Sequence, residues 1–96
     1  MAECRLSPRA QRDLDDIFDY TVAQWNLPQA LRYTDSLEAA LDALAQAPHK
    51  GQDCGHIRQG YRRLRVEQHV IYFRTTPYGI AVIRILHQRM DVPRHL

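Results

Sequence analysis

The spacing of the hydrophobic residues changes halfway along this chain, and that change constrains the fold more than any other feature of its 96 residues. Up to about residue 46, apolar side chains recur every three or four positions, which is typical of amphipathic helices. From Tyr61 onward they alternate with polar residues or run continuously, and β-branched and aromatic types dominate, which is typical of strands. A chain of this length forms one domain. The sequence therefore predicts a helical half packed against a sheet.

The first half of the chain predicts a helical hairpin. Ser7 is a suitable N-cap for one helix, and Asn26, followed three residues later by Gln29, begins a second. Only one or two residues separate the helices, so they must run antiparallel. With a short strand ending at Leu6, residues 1–50 become a strand and a helical hairpin. The predicted apolar stripes are Ala10, Leu14, Ile17, Phe18, Thr21, Val22 and Trp25 in the first helix, and Ala30, Tyr33, Leu37, Ala40, Leu41 and Leu44 in the second.

The second half predicts three antiparallel strands within residues 57–87, linked by tight turns at Glu67-Gln68 and at Thr76-Pro77-Tyr78-Gly79. The resulting fold class is α+β, with the element order β-α-α-β-β-β in a single domain of residues 1–96. We expect the antiparallel sheet to pack on the N-terminal helical hairpin.

The last two strands are apolar on both faces. Alternation places Val82 and Leu86 on one face, and Ile83 and Ile85 on the other. One helical hairpin covers only one face of a sheet, so we expect the other face to be exposed or covered by another molecule. Residues 88–96 show neither helical nor strand spacing and predict a mobile tail.

The charged residues divide at the same place as the hydrophobic pattern. Residues 1–56 hold five basic and nine acidic side chains, whereas residues 57–96 hold eight arginines against Glu67 and Asp91. A net charge of +2 therefore conceals formal charges of −4 and +6. The planar guanidinium fork suits carboxylates and phosphates. Either the two halves attract each other, or the basic half binds an anionic partner.

Membrane, secreted and metal-binding proteins are not expected from this sequence. No segment approaches the ~18 apolar residues of a membrane span, and the N-terminus lacks the apolar core of a secretory signal. Cys4 and Cys54 form no CxxC pair, and Cys54-x-His56 is too sparse for a zinc site, which needs four ligands. We expect a cytoplasmic protein with free thiols, no metal and no cofactor.

One group of residues could carry chemistry. Arginines on a sheet beside a histidine could hold an RNA phosphate and move a proton. A general base, a general acid and a phosphate-binding group are not all evident, however, so a binding surface without bond chemistry is favoured. Arg84 stands in a largely apolar strand and is expected to pair with an acid from the helices. The group comprises Arg62, Arg63, Arg65, Arg84, His87 and Arg89.

Four segments resemble the ParE toxins of the ParE/RelE superfamily of bacterial type II toxin–antitoxin systems. They are LSPRAQRDLDDIFDYTVAQW in the first helix, RQGYRRLRV (58–66), HVIYFR (69–74) and VIRILHQRMD (82–91). The resemblance runs in register over nearly all of the chain. It implies the same β-α-α-β-β-β fold that the hydrophobic pattern predicts.

The resemblance implies one of two activities. ParE-like members inhibit DNA gyrase by trapping it on cleaved DNA, whereas RelE-like members are ribosome-dependent mRNA endonucleases that use basic residues of the sheet and a late tyrosine. This chain has no tyrosine or phenylalanine after Tyr78, its only lysine, Lys50, precedes the strands, and His69 stands near an arginine of the RelE pattern. These departures favour a non-enzymatic gyrase inhibitor. In the endonuclease alternative the catalytic residues are Arg63, Arg65, His87 and Arg89, and a third possibility is a degenerate toxin that only binds antitoxin.

The resemblance also implies a ParD-like antitoxin in a hetero-oligomer with the toxin. A ribbon-helix-helix half of the antitoxin binds operator DNA, so the toxin meets that DNA only indirectly. An acidic, apolar antitoxin segment suits the arginine-rich half of this chain. The predicted antitoxin-binding residues are Trp25, Tyr33, Arg63, Arg65, Tyr72 and Arg74, with core packing as the favoured alternative for Trp25 and Tyr33. The predicted target-binding residues are His87, Arg89 and Arg94.

Overall fold

Two long helices lie against one face of a five-stranded sheet in a computed structural model that describes residues 2–96. The α+β class and the helical hairpin predicted from the sequence are confirmed. The helices are α1 (Pro8–Gln24), α2 (Leu27–Gln46) and a short α3 (Val92–His95), with a 3-10 turn at Pro48–Lys50. The strands are β1 (Glu3–Leu6), β2 (Gln52–Asp53), β3 (Tyr61–Val66), β4 (His69–Thr76) and β5 (Gly79–His87).

Both long helices begin at the predicted caps. The Ser7 hydroxyl oxygen accepts a hydrogen bond from the Ala10 N–H at 3.0 Å. The Asn26 side chain accepts one from the Gln29 N–H at 2.8 Å. Each cap satisfies a backbone donor that the first turn of a helix leaves without a partner. Only Trp25 and Asn26 separate the helices, so α1 and α2 form an antiparallel hairpin.

The sheet is mixed, which corrects the expectation of a purely antiparallel one. Its order is β1-β5-β4-β3-β2, and β3, β4 and β5 form the predicted antiparallel meander. The chain leaves β1, passes through the helical hairpin and returns, so β1 pairs parallel to β5, with Leu6 opposite Val82. Gly79 allows this pairing, since a Cβ atom there would lie 2.1 Å from the Glu3 carbonyl oxygen. The short edge strand β2 was not predicted.

The main core lies between the hairpin and the inner face of the sheet, which is the face toward the helices. Its buried residues include Leu14, Ile17, Tyr33, Leu37, Leu41, Leu44, Ile71, Phe73, Ile80, Val82 and Ile85. The predicted stripe on α1 extends further than this core does. Val22 and Trp25 are exposed, and the Trp25 side chain is 72% accessible, so core packing is the wrong assignment for Trp25. None of the helices in residues 2–96 is both long and apolar enough to cross a membrane.

The outer face of the sheet is partly covered by the chain itself. Tyr72 and Leu86 are only 2% and 1% accessible, because Val92 and Leu96 pack on them together with the segment around Cys54. The prediction of a mobile tail is therefore wrong, since residues 92–95 form α3 and dock on the sheet. Two apolar side chains in a polar segment suffice for this docking but produce no recognisable period.

Candidate functional site

The free edge of β5 is bonded to α1. Pairing with β1 ends at Val82, so the following backbone groups of β5 have no strand neighbour on that side. The Ser7 hydroxyl donates to the Ile83 carbonyl at 2.8 Å, and the Asp13 carboxylate accepts from the Ile85 N–H at 2.9 Å. Side chains from the start of α1 thereby satisfy an edge that would otherwise be open to pairing.

The same Asp13 carboxylate binds Arg84 through two hydrogen bonds. Arg84 Nε and Nη2 donate to its two oxygens at 2.8 and 2.9 Å, and both side chains are nearly buried. Hydrogen bonding to Asp13 raises the pKa of Arg84, against the opposing effect of burial. The expectation that Arg84 pairs with an acid from the helices is confirmed.

A bulge in β5 decides which way its side chains point. Tyr72 pairs with Arg84, whereas Phe73 pairs with Val82, so Ile83 is an extra residue in the ladder. After the bulge the alternation is inverted: Val82 lies in the main core, but Leu86 lies on the outer face. The prediction that Val82 and Leu86 share a face is therefore wrong.

Two histidines face each other at the end of the sheet nearest the hairpin tip. His69 and His87 are register partners, and their rings meet edge-on with centroids 5.4 Å apart. The Tyr33 hydroxyl accepts from the Gln68 N–H at 3.0 Å, so its own proton is free to donate to His69 Nδ1, 2.7 Å away. Burial and then the neighbouring His87 lower the pKa of His69 to about 4. His69 is therefore neutral at pH 7, and the tautomer with its proton on Nε2 is the one that accepts the Tyr33 bond.

These histidines line a groove between α1, the start of α2 and the end of β5. Two adjoining depressions of about 310 and 350 Å³ share Tyr20, His69 and His87. Met90 lies at one end and Trp25 at the other, and both are exposed. We call this surface the histidine groove. It offers aromatic and apolar side chains beside polar and charged ones of both signs, Asp13, Asp16, Arg32 and Glu67 among them, which suits an extended partner segment.

The arginines of β3 and β4 lie on the opposite, outer face. The register places Arg63, Arg65 and Arg74 on that face together with Tyr72 and Val70. Lys50, Arg63 and Arg65 border a depression of about 350 Å³. Within residues 2–96, no carboxylate lies within 4.0 Å of Arg63, Arg65 or Arg74. These cations are therefore available to an anionic partner.

The structure does not bring the predicted catalytic group together. His87 lies on the helix side of the sheet, whereas Arg63 and Arg65 lie on the outer side. Arg89 is exposed in the turn after β5, where its N–H donates to His87 Nδ1 at 3.1 Å. Arg62 bonds the Gly51 carbonyl. Between residues 2 and 96, no three Cys, His, Asp or Glu side chains are placed to share a metal ion.

The predicted partner-binding residues are distributed over several surfaces. Trp25 is exposed in the histidine groove, whereas Tyr33 is 8% accessible and belongs to the core, as the alternative for it predicted. Tyr72 is buried beneath α3 and offers a partner little surface. Arg94 is exposed on α3. Sequence reasoning missed Asp13 as a sheet-edge residue, and the acid-rich run 13–19 contained no signal that distinguished it.

Comparison with known proteins identifies the family of this chain. A family model described as "ParE toxin of type II toxin-antitoxin system, parDE" matches residues 4–92. The chain belongs to the ParE toxin family. It is 46% identical over 92 residues to Toxin ParE1 of Mycobacterium tuberculosis, covering 95% of this chain and 94% of that protein. It is 40% identical over 96 residues to Toxin ParE1 of Caulobacter vibrioides, covering 100% and 99%.

A solved structure supports the same family at the level of the fold. A chain of the chromosomal ParDE toxin–antitoxin system from P. aeruginosa superposes with a TM-score of 0.78 at 25% identity, covering 91% of this chain and 96% of that one. The ParE family toxin described here is thus the toxin of a type II system, and its ParDE relatives imply an antitoxin partner.

Proposed function

We propose that this ParE family toxin inhibits DNA gyrase by binding it, without bond chemistry of its own, and so blocks replication. A ParD-like antitoxin neutralises the toxin by binding it directly. Family membership supports a toxin that needs an antitoxin. The choice of gyrase over the ribosome rests on the sequence departures from the RelE pattern and on the separation of His87 from Arg63 and Arg65 by the sheet.

The separation of the predicted catalytic residues carries this proposal. A ribonuclease needs its proton-transfer group and its phosphate-binding groups around one scissile phosphate, within hydrogen-bond reach. His87 and the pair Arg63 and Arg65 lie on opposite faces of the sheet, so one phosphate cannot meet all three. His69, the other histidine nearby, is neutral and bonded to Tyr33, which favours a structural role.

The target contact is assigned to His87, Arg89 and Arg94. Arg89 and Arg94 are exposed cations, and neither lies within 4.0 Å of a carboxylate in the described part of the chain. His87 lines the histidine groove, and the Arg89 N–H is bonded to its ring, whereas Arg94 stands on α3 at the outer side of the sheet. A negatively charged surface on the gyrase–DNA complex is the partner that this charge and position suit.

The antitoxin contact is assigned to the outer sheet face, through Arg63, Arg65 and Arg74, and to Trp25 in the histidine groove. These three arginines make no ion pair within residues 2–96, and beside apolar Val70 they suit an acidic, apolar segment that folds on binding. Trp25 and His87 border the same depression. An antitoxin that covers Trp25 therefore excludes a target that needs His87, which explains neutralisation by overlap of the two contacts.

Purified toxin, tested in parallel on gyrase and on translation, separates the possible activities. The gyrase arm measures supercoiling and the accumulation of cleaved DNA, and the translation arm measures protein synthesis in a cell-free extract. Accumulated cleaved DNA with normal translation is expected. Loss of translation with cut mRNA would contradict the proposal and support the endonuclease, and no effect in either arm would indicate a degenerate toxin.

Matched double variants then test the two contacts. Arg89→Ala with Arg94→Ala is expected to lose gyrase inhibition at least about tenfold while it still binds antitoxin, because truncating a charge-assisted contact costs about that factor. Arg63→Ala with Arg65→Ala is expected to show the reverse. If both doubles lose the same function, the division of the surface is wrong.

A further inference from the structure

Two arginines from distant parts of the chain contact the backbone of the C-terminal helix. Arg58 Nη1 donates to the backbone oxygen of Leu96 at 2.6 Å. Arg84 Nη1 lies 3.4 Å from the carbonyl oxygen of His95. We call Arg58 and Arg84 the tail arginines. Between them, Val92 and Leu96 pack on the buried outer-face cluster of Cys54, Tyr72 and Leu86.

Arg84 is itself fixed before it meets the tail. Two of its three nitrogens are bonded to the Asp13 carboxylate, which in turn accepts from the Ile85 N–H. The guanidinium is planar, so bonding Nε and Nη2 on one side sets the direction of Nη1 on the other. A continuous set of contacts thus joins α1, β5 and α3, and the burial of the Asp13–Arg84 pair keeps water from competing with it.

The segment that these contacts hold has few others. Between β5 and the chain end, the backbone bonds of residues 88–96 to the body of the protein are few, and Arg89 and Arg94 are exposed. The Arg89 N–H is bonded to His87 at the end of β5, so the docking of α3 determines where Arg94 stands relative to Arg89. If α3 were not docked, a partner that binds both Arg89 and Arg94 would have to order a flexible segment, and its affinity would be lower by that entropic cost.

We propose that Arg84, held by Asp13, and Arg58 are positioning residues that dock α3 and so hold Arg89 and Arg94 at a fixed spacing for the target. The docking rests on the contacts above. Its consequence for inhibition rests on the proposed function, which assigns Arg89 and Arg94 to gyrase. The tail arginines, Arg58 and Arg84, contact the C-terminal segment itself, whereas Arg89 and Arg94 contact the target.

The variants Arg84→Met and Arg58→Met test this, because methionine keeps the apolar stem and removes the donors. Arg9→Met is the matched control, since Arg9 is exposed on α1 and makes no ion pair within residues 2–96. Asp13→Asn is a second route to the same effect. It retains an acceptor for the Ile85 N–H but loses the charge that holds Arg84, so it remains informative if Arg84→Met does not fold.

Trypsin reports the docking directly, because the tail carries its own cleavage sites after Arg89 and Arg94. In full-length variants that retain cooperative thermal unfolding, we expect release of the C-terminal peptides to accelerate about tenfold for Arg84→Met and Arg58→Met and to remain unchanged for Arg9→Met. We expect gyrase inhibition to weaken about tenfold in the same two variants, with antitoxin binding retained.

Tail cleavage and gyrase inhibition test different parts of the inference. Unchanged tail cleavage in Arg58→Met and in Asp13→Asn would overturn the inference, whatever the inhibition data show. Faster cleavage with full gyrase inhibition would support the docking role and overturn the assignment of the tail to the target. Faster cleavage with weakened inhibition and intact antitoxin binding supports both.

Discussion

At the scale of single residues, the hydrogen bonds around His69 determine its protonation. The Tyr33 hydroxyl accepts a bond from the Gln68 N–H and has His69 Nδ1 as the acceptor for its own proton. Burial raises the pKa of Tyr33, so the hydroxyl keeps that proton. A protonated His69 could no longer accept from Tyr33 and would place its charge beside His87. The folded state therefore favours the neutral ring, and it does so at the centre of the histidine groove.

This preference predicts a dependence of stability on pH. The pKa of His69 falls from 6.5 in the unfolded chain to about 4 in the folded protein, so the unfolded state binds more protons between these values. The stabilising effect is fully present above pH 6.5 and is lost as the pH falls from 6.5 through 4. We expect a loss of about 1–2 kcal/mol in this window, after allowance for the partial exposure of the ring.

His69→Gln isolates that effect, because glutamine does not titrate and can accept the bond from Tyr33. Urea unfolding at pH 7.0, 5.5 and 4.5 should show a shallower pH dependence for His69→Gln than for the unsubstituted protein. His56→Gln, at an exposed loop position, should behave as the unsubstituted protein does. Equal pH dependence in all three proteins would mean that His69 does not have the lowered pKa.

At the scale of elements, local signals predicted what local interactions determine. The side-chain caps at Ser7 and Asn26 begin the helices, and the turn at Glu67-Gln68 links two strands, as expected from the sequence. The bulge at Ile83, the parallel pairing of β1 and the docking of α3 depend on residues far apart in the chain. No periodicity of a single segment reports such contacts.

The same limit applies to the candidate site. Arginine-rich strands and a late histidine were visible in the sequence, but the face on which each side chain lies was not. One extra residue in β5 inverts the alternation after it and separates positions that simple alternation groups together. The exposure of Trp25 was missed for a related reason: the apolar stripe of α1 continues beyond the part of the helix that the sheet covers.

The close contact of β1 with the start of β5 predicts a severe effect of Gly79→Ala. The new Cβ would lie 2.1 Å from the Glu3 carbonyl oxygen, and Gly79 has a φ of +142°. We expect the free energy of unfolding to fall by about 3 kcal/mol or more, measured by chemical denaturation.

Gly60→Ala is the control, because its φ of +84° strains alanine while its Cβ would meet nothing within 4 Å. We expect it to cost only about 1 kcal/mol. Similar losses in both variants would contradict a steric role for Gly79.

Because α3 covers part of the sheet, we predict that removing it destabilises the whole domain. Deleting residues 88–96 uncovers Leu86 and Tyr72, which are almost inaccessible in the full chain. We expect the deletion to lower the free energy of unfolding by about 2 kcal/mol or more and to increase binding of a hydrophobic dye. The full-length Arg89→Ala with Arg94→Ala variant should change neither. A deletion variant as stable as the full chain, without dye binding, would mean that α3 contributes no cover.

At the scale of the whole molecule, the charge split follows the layers of the fold. The acidic residues of the first half lie mainly on the helical hairpin, whereas Arg63, Arg65 and Arg74 lie on the far side of the sheet. Only the Asp13–Arg84 and Arg32–Glu67 ion pairs join the two halves within residues 2–96. The halves therefore leave most of their charge unneutralised, and we expect the outer sheet face to attract an acidic partner from a distance.

This arrangement predicts that association with the antitoxin is accelerated by charge. We expect the association rate constant to fall about tenfold between 50 and 500 mM salt, because the Debye length shortens to a few ångströms and long-range attraction is screened. Arg63→Ala with Arg65→Ala should slow association at low salt and flatten this dependence.

Arg9→Ala with Arg12→Ala is the control, because it removes the same charge from exposed positions of α1 and should leave the salt dependence nearly intact. Stopped-flow mixing of toxin and antitoxin measures all three proteins. If both doubles flatten the salt dependence equally, net charge and not the outer sheet face attracts the antitoxin.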